Sequence, residues 1–197
     1  LYNPESFYLG NVIDKFTIGG KKDLYSTKGF FGRVNYSYND TYFGNVSYRR
    51  DASSRFAPEN RWGNFWSASV AWMLTRESFM EDITWVNMLK FKASFGQQGN
   101  DDILYPGVLL EKNYYPWLDQ YKMTGANGTF ADGTLLYKGN PDITWETSTS
   151  YNIGADFGLF NNKLNGSIEY FGRKSKDMLY NRPTAGSLGY TAVPMNV

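Results

Sequence analysis

Residues 29–51 read GFFGRVNYSYNDTYFGNVSYRRD, and this stretch decides the fold class of the chain. Up to residue 38, apolar or aromatic residues at even positions alternate with mostly polar residues at odd positions. The same alternation resumes after Asn39-Asp40 and continues to residue 51. Alternation over about ten residues, with aromatic residues crowded at the strand ends, is typical of β-strands that cross a membrane. The stretch therefore predicts two such strands joined by a two-residue turn.

Further segments repeat this period of two, and one of their faces is apolar while the other is polar. They are residues 62–74, 88–98, 145–157 and 164–174. Together with the first hairpin they predict an all-β chain of about six antiparallel strands. The apolar positions that we expect to face lipid near mid-membrane are Val34, Val46, Val70, Ala93 and Ile153.

The connections between these strands alternate in length, which favours an outer-membrane β-barrel with short periplasmic turns and long extracellular loops. A soluble β-sandwich would also alternate, so it stays open at this point. A short helical turn is expected around residues 77–82. The predicted organisation is a loop or strand end over 1–27, four barrel strands over 28–98, a long extracellular loop over 99–144, two barrel strands over 145–174, and an extracellular loop over 175–197.

Composition excludes several classes of protein. The chain has 197 residues, a formal net charge of +1, and neither cysteine nor histidine. These absences exclude disulfide scaffolds, thiolate zinc sites, cysteine nucleophiles and histidine-dependent catalytic triads. The even charge balance argues against nucleic acid as a partner. No segment approaches the ~20 apolar residues of a transmembrane helix, and no signal peptide opens the chain at Leu1, so we expect an internal piece or a processed fragment.

The densest charge cluster lies around the end of the second predicted strand. Its members are Arg49, Arg50, Asp51 and Arg55, and alternation places Arg33 on the same polar side as Arg49 and Asp51. The candidate site residues among these are Arg33, Arg49, Asp51 and Arg55. One interpretation is a gating or substrate contact at the lumen or extracellular rim. The other is a salt-bridge network that holds the base of the loop, although surface pairs of this kind contribute little stability individually.

The long loop over 99–144 is rich in aromatic residues, which argues against disorder. A loop of this length in a compact domain is usually functional. Its candidate ligand-binding residues are Tyr114, Tyr115, Trp117, Asp119 and Tyr121. Aromatic rings can pack against the CH faces of sugars, while a carboxylate accepts hydrogen bonds from hydroxyl groups. The alternatives are a self-packed loop and a surface that contacts a partner protein.

Two other pairs of acidic residues have the composition of a metal or catalytic site. Asp101 and Asp102 are a candidate calcium site because hard cations prefer clustered carboxylates, but no EF-hand spacing follows, and a turn with solvated charges is the alternative. Glu81 and Asp82 are adjacent in a short turn, whereas the two carboxyl groups of a glycosidase lie ~5–9.5 Å apart across a cleft. We therefore expect no catalytic residues and no cofactor.

Several separate motifs carry a resemblance to a known family, in the family's order and spacing. They are GFFGRVNYSY at 29–38, YRRDASSRF at 48–56, NRWGNF at 60–65, LKFKASFGQQG at 89–99, NPDITWE at 140–146, NNKLNGSIEY at 161–170 and KDMLY at 176–180. These motifs resemble those of the SusC/RagA-type TonB-dependent transporters of the Bacteroidota outer membrane. Ala52 stands where the family usually has Gly, and Trp66 where it commonly has Pro. The resemblance covers most of residues 28–100 and 140–181.

The resemblance implies a 22-stranded barrel in the cell outer membrane, closed around a plug and covered by a SusD-like surface lipoprotein. It implies import of oligosaccharides, or of peptides in some members, with energy passed on by the TonB complex. Six strands would leave two open edges, which hydrocarbon does not tolerate, so we expect the transporter to include further polypeptide. A TonB-dependent receptor for peptides, metal chelates or cobalamin, and a soluble all-β carbohydrate-binding module, remain as alternatives.

Overall fold

The chain folds around one antiparallel β-sheet. A computed structural model describes residues 8–9, 18–19, 23–106, 111–124 and 131–197. Two short strands, β1 (Tyr8–Leu9) and β2 (Ile18–Gly19), pair with each other. The main sheet follows, with β3 (Thr27–Tyr38), β4 (Tyr42–Ser53), β5 (Trp62–Met73), β6 (Val86–Asn100), β9 (Glu146–Leu159) and β10 (Leu164–Lys176).

The strands of the main sheet lie in the spatial order β10-β9-β6-β5-β4-β3, and each is hydrogen-bonded to its neighbours in that order. All of these pairs are antiparallel. The six strands predicted from alternation coincide with these six, and the all-β antiparallel fold is confirmed. The sheet does not close on itself within this chain, because β3 and β10 each have one neighbour in it.

The turns at one end of the sheet depend on residues that tolerate left-handed backbone. Asn39 and Asp40 have φ angles of 49° and 51°, and the amide of Thr41 donates to the carbonyl oxygen of Tyr38 at 3.0 Å. Asn and Asp are favoured in such turns. Pairing resumes at Tyr42 opposite Tyr38, so Thr41, which the alternation placed in the strand, lies in the turn. The turn between β9 and β10 is similar, with positive φ at Phe160, Asn161 and Asn162.

Register brings the predicted apolar positions onto one face of the sheet. Val46 pairs with Val34 on one side and with Ala68 on the other. On the same face, Ala93 of β6 pairs with Val70 of β5 on one side and with Ile153 of β9 on the other. Because paired residues point to the same face, the alternation of every strand is in phase with its neighbours. Most of these side chains are exposed, Val34 at 71 % and Val70 at 62 %.

Aromatic residues on the apolar face lie on either side of this aliphatic band. Tyr42 is paired with Tyr38 and Trp72, at ring-centroid distances of 6.5 and 6.3 Å. Further along the strands, Trp66 lies 4.6 Å from Phe95. Such rows at the two ends of an apolar band are the pattern of aromatic girdles at membrane interfaces.

Two glycines on this face leave room for rings from the neighbouring strand. A Cβ at Gly166 would lie 2.5 Å from Cζ of Phe157, and one at Gly172 would lie 2.2 Å from Cζ of Tyr151. Both rings therefore lie directly on glycine backbone of β10. Cross-strand packing of an aromatic ring over a glycine helps to fix strand register.

The connections contain more structure than the sequence indicated. A 3₁₀ helix, Ser78–Met80, lies within the predicted helical turn, and a second one, Leu74–Arg76, precedes it. The long loop contains a hairpin of β7 (Gln120–Thr124) and β8 (Ala131–Tyr137), and the chain ends with a hairpin of β11 (Leu179–Pro183) and β12 (Ala192–Asn196). No helix in the described ranges is long and apolar enough to cross a bilayer.

Candidate functional site

The polar face of the main sheet carries a network of charges centred on Lys92 of β6. Its Nζ lies 2.9 Å from Oδ1 of Asp156 and also contacts Glu169. Asn152 donates to Glu169 at 3.1 Å, and Ser167 donates to Asp156 at 2.7 Å. The network thus joins β6, β9 and β10 across the face opposite the aliphatic band. Alternation placed these residues on the polar side, but their mutual contact depends on register.

Hydroxyl and amide groups continue the polar face towards β3. Ser47 and Ser67 share a hydrogen bond of 2.7 Å, and Asn45 donates to Asn35. Asn35, Asn45 and Lys92 line a depression of about 550 Å³ on this face. A surface of this composition suits water and polar solutes rather than lipid.

Arg55 is the centre of a second cluster, at the end of the sheet where the long loop begins. Its side chain is 4 % exposed, and Nη1 lies 3.3 Å from Oδ1 of Asp101 and 3.0 Å from Oδ1 of Asp102. The guanidinium also lies 4.5 Å from the ring centroid of Tyr25 and 5.2 Å from that of Tyr114. A planar, weakly hydrated guanidinium is well suited to combined ion pairing and stacking.

The Arg55 cluster joins three segments that are distant in sequence. The hydroxyl of Tyr25 donates to Oδ2 of Asp101 at 2.9 Å, and that of Ser53 donates to the same oxygen at 2.6 Å. The residues before β3, the end of β4 and the start of the long loop therefore meet at one carboxylate. This geometry corresponds to the predicted alternative of a salt-bridge network at the loop base.

Asp101 and Asp102, the candidate calcium ligands, are both engaged by cations of the chain. Besides Arg55, Lys112 contacts Asp102, with 2.8 Å between Nζ and Oδ2. Among the described residues no group of three or more acidic, His or Cys side chains is arranged to hold a metal ion. Calcium binding by these two residues stays a prediction.

The other three candidate residues, Arg33, Arg49 and Asp51, lie on the polar face of β3 and β4. Arg49 pairs with Asp51 of the same strand, at 2.5 Å between Nε and Oδ2, and Arg33 pairs in register with Ser47. The structure therefore separates the four predicted residues into a strand pair, Arg49 and Asp51, a neighbouring Arg33, and the buried Arg55. Their role at the lumen or rim stays a prediction.

A buried aromatic group lies beside these charges. Phe56 and Phe65 lie 5.4 and 5.5 Å from the ring of Trp145, whose Nε1 donates to the carbonyl oxygen of Arg61 at 2.8 Å. Phe65 belongs to the polar face of β5, yet it is buried. Its ring covers Gly99, where a Cβ would lie 2.1 Å from Cζ. Sequence alone gave no signal for this packing, because Phe65 and Trp145 are 80 positions apart.

The candidate ligand residues of the long loop do not converge on one pocket. Tyr114 stacks in the Arg55 cluster, and the hydroxyl of Tyr115 accepts the amide of Leu24 at 3.0 Å. Trp117 is half-buried, and its Nε1 is buried without a hydrogen-bond partner in the part of the chain that the structure describes. Tyr121 is exposed. Sugar binding by these residues stays a prediction.

Asp119, the remaining candidate, closes the base of the β7–β8 hairpin. Nζ of Lys138 donates to its Oδ2 at 2.8 Å, and the amide of Gly139 donates to Oδ1 at 2.9 Å. The hydrogen bond from Lys138 lowers the pKa of Asp119 and raises the pKa of Lys138. Nearby, burial raises the pKa of Tyr137, whose ring lies edge-on to Tyr105. The described part of the long loop around Asp119 and Tyr137 is thus packed rather than open.

Comparison with known proteins gives one consistent family. Residues 3–197 match the family described as TonB dependent receptor-like, beta-barrel. TonB-dependent receptor P39 of Formosa agariphila is 31 % identical over 182 residues, and TonB-dependent receptor SusC of Bacteroides thetaiotaomicron is 34 % identical over 157 residues. These alignments cover 92 % and 76 % of this chain. The chain spans only 17 % and 15 % of the length of these relatives.

Solved structures agree with the sequence relatives. The RagAB peptide importer in its "open-open" state gives a TM-score of 0.77 at 26 % identity, over 95 % of this chain and 20 % of that chain. The structure of the RagAB peptide transporter gives a TM-score of 0.74 at the same identity, over 93 % of this chain and 19 % of that chain. The fold of the described strands is therefore similar to that of a part of these much larger chains.

Proposed function

The chain belongs to the TonB dependent receptor-like β-barrel family, as its motifs predicted, and on this premise we propose that it forms part of the wall of an outer-membrane nutrient importer. The nutrient in this proposal is an oligosaccharide. The importer acts with a SusD-like surface lipoprotein and takes its energy from the TonB complex through parts of the polypeptide outside this segment. The role is transport rather than catalysis.

One observation carries the proposal, namely the separation of the sheet into an exposed apolar face and a charged polar face. Exposed aliphatic residues such as Val34, Val70 and Ile168 continue in register across β3 to β10. A contiguous apolar surface of this size is unfavourable in water and favourable against lipid. A soluble carbohydrate-binding module would need polar residues on that face.

The polar face supports a lumen that carries solutes. Lys92, Asp156 and Glu169 neutralise one another in part, while serine and asparagine side chains supply hydrogen-bonding groups beside them. Both open edges of the sheet, at β3 and β10, would be paired by further strands in a closed barrel.

Peptides are a second candidate cargo. The observation that favours them is the similarity of the strands to RagAB, which is named a peptide importer, at TM-scores up to 0.77. Opposite charges on the polar face, such as Lys92 and Glu169, could in addition pair with the two termini of a peptide.

Uptake by cells separates these candidates. The experiment compares fluorescently labelled neutral oligosaccharides with labelled oligopeptides in cells that have or lack the gene of the full-length receptor. We expect oligosaccharide uptake that depends on the gene and disappears when the proton gradient is dissipated. Gene-dependent uptake of peptides alone would favour the second candidate, and a full-length protein found in the soluble fraction would contradict both.

The long loop adds a related proposal, in which Tyr121 and Trp117 contact the sugar while Tyr114, Tyr115 and Asp119 hold the loop in shape. Tyr121 is the most accessible aromatic residue of this set, at 54 % exposure. Tyr121→Ala should therefore weaken oligosaccharide binding and leave association with the lipoprotein intact. Loss of lipoprotein association with unchanged sugar binding would instead make this loop a docking surface.

A further inference from the structure

A recess of about 620 Å³ opens on the polar face at the end that carries the long loop. Residues of β3, β4, β5 and β6 line it together with Tyr25, Asp101 and Trp145. They include Arg49, Asp51, Phe65 and Gln98. We propose that this recess binds one ring of a neutral sugar. The inference rests on the proposed function and names a binding site for the same class of substrate.

Three aromatic side chains line the recess: Phe65 is buried, Trp145 is half-buried, and Tyr25 is 46 % exposed. The ring of Phe65 lies on the backbone of Gly99, and Trp145 packs edge-on against it at 5.5 Å. Tyr25 therefore offers the most accessible ring, and the hydrogen bond to Asp101 holds its orientation. Binding sites for small ligands combine such apolar ring surfaces with a few placed polar groups. Sugar rings offer CH faces that fit them.

The polar groups of the recess suit hydroxyl groups, which both donate and accept hydrogen bonds. The guanidinium of Arg49 uses Nε for Asp51, and the Arg49 side chain as a whole is 68 % exposed, which leaves its terminal N–H donors to reach a ligand. The amide of Gln98 is exposed and supplies both a donor and an acceptor. Ser47 and Ser67, whose Oγ atoms lie 2.7 Å apart, add hydroxyl groups to the same lining.

The charges around the recess favour a neutral ligand. The lining carries two cationic side chains, Lys28 and Arg49, and two anionic ones, Asp51 and Asp101, so neither sign is in excess there. An anionic ligand would have to lie beside Asp51 and Asp101, and a cationic ligand would have to lie beside Arg49. Unfavourable contacts of this kind exclude the wrong ligand as effectively as favourable contacts select the right one.

The test measures binding by the full-length receptor in detergent with isothermal titration calorimetry. The probes are maltohexaose, xylohexaose and an inulin-type hexasaccharide as neutral sugars, trigalacturonate as an anionic sugar, and pentaalanine as a peptide. Arg49→Ala and Gln98→Ala should each weaken binding of a neutral sugar by about tenfold, because each removes hydrogen-bonding groups from the bound ligand. Gln98 makes no described side-chain contact on which folding depends, so its variant remains informative if Arg49→Ala is poorly assembled.

Arg173→Ala is the matched control, because Arg173 lies on the same polar face but on β10, outside the recess, where it donates to Ser148. The affinity of the Arg173→Ala receptor for the neutral sugars should stay within about twofold of that of the unmodified receptor. Neutral-sugar binding that is unchanged in Arg49→Ala and Gln98→Ala would overturn the recess and leave the proposed function standing. Binding of trigalacturonate in preference to the neutral sugars would overturn the neutral-ligand assignment. Binding of pentaalanine alone, or of no probe, would overturn the recess and the proposed cargo together.

Discussion

The guanidinium of Arg55 lies 4.5 Å from the ring centroid of Tyr25, a residue 30 positions earlier in the chain, and both side chains contact the carboxylate of Asp101. This relationship ties the approach to β3 to the base of the long loop. Burial, followed by the hydrogen bond to Asp101, raises the pKa of Tyr25. Three segments are therefore held together at the end of the sheet where the long loop begins.

Replacement of Arg55 by Ala should loosen these segments locally. It leaves Asp101 and Asp102 without their shared cation, and breaking a largely buried ion pair costs about 3 kcal/mol. The loss should appear as faster hydrogen exchange at residues 101–106 and 111–119 in the full-length receptor, with exchange in β4 and β5 unchanged. Arg55→Lys should recover only part of it, since an ammonium group does not stack as a guanidinium does.

Arg76→Ala is the control for that variant. Arg76 is exposed and lies 3.9 Å from Asp40, so its removal should cost less than about 0.5 kcal/mol. Equal exchange in the Arg55 and Arg76 variants would contradict the structural role of Arg55.

Arginine at Val70 and at Ser69 should have unequal effects. The two residues are adjacent in β5 but point to opposite faces, and Val70 pairs in register with Ala93 in the aliphatic band. An arginine that faces lipid near mid-membrane costs about 2–4 kcal/mol, whereas one in the lumen is tolerated better. The measurement is the unfolding free energy of the full-length receptor in lipid vesicles. Equal losses for Val70→Arg and Ser69→Arg would remove the lipid assignment of the apolar face.

The two ends of the sheet should lie on opposite sides of the membrane. Asp40 is in the short turn after β3, while Glu59 is in the longer connection between β4 and β5, at the other end of the strands. In intact cells an impermeant thiol label should react with Glu59→Cys and not with Asp40→Cys, and both should react after the outer membrane is permeabilised. Labelling of Asp40→Cys alone before permeabilisation would reverse the topology.

Closure of the β7–β8 hairpin should depend on pH through Asp119 and Lys138. The folded pKa of Asp119 is lowered, so its contribution to stability is present above the unfolded value of about 4 and is lost as pH falls through the folded pKa. The folded pKa of Lys138 is raised, so its contribution is present below about 10.4 and is lost as pH rises through the folded pKa. Protection of the Gly139 amide should therefore be constant between these limits and fall outside them.

Asp119→Asn should remove the fall in protection at the acid limit. Asp142→Asn is the matched control, because Asp142 is exposed near the same loop end and forms no described ion pair. An acid-dependent loss that persists in Asp119→Asn would contradict the assignment.

Most of the main sheet could be predicted from the sequence because apolar and polar residues largely alternate along its strands. In the strands that contain Val34 and Val46, apolar or aromatic residues stand at almost every second position. The Asn39-Asp40 turn between these strands fixes their pairing. The β7–β8 and β11–β12 hairpins could not be predicted in this way. Their strands have five or seven residues, and residues 179–183 and 192–196 show no clean alternation.

The candidate site was predictable only in part, because contacts across strands depend on register and loop packing. Alternation placed Lys92 and Glu169 on the polar side, but their contact requires that β6, β9 and β10 pair as they do. Arg55 was identified by its charge cluster. Its stacking on Tyr25 depends on a segment outside the strands, whose position local sequence does not specify.

The central claim is that the apolar face of this sheet meets lipid and the polar face meets an aqueous lumen. The most direct measurement is a nitroxide scan along β5, from Trp66 to Trp72, in the full-length receptor reconstituted in vesicles. Accessibility to oxygen should peak at residues 66, 68, 70 and 72, and accessibility to a water-soluble nickel chelate should peak at 67, 69 and 71, in strict alternation. Chelate accessibility that is equal at Val70 and Ser69, or oxygen accessibility that is highest at the odd positions, would contradict the account.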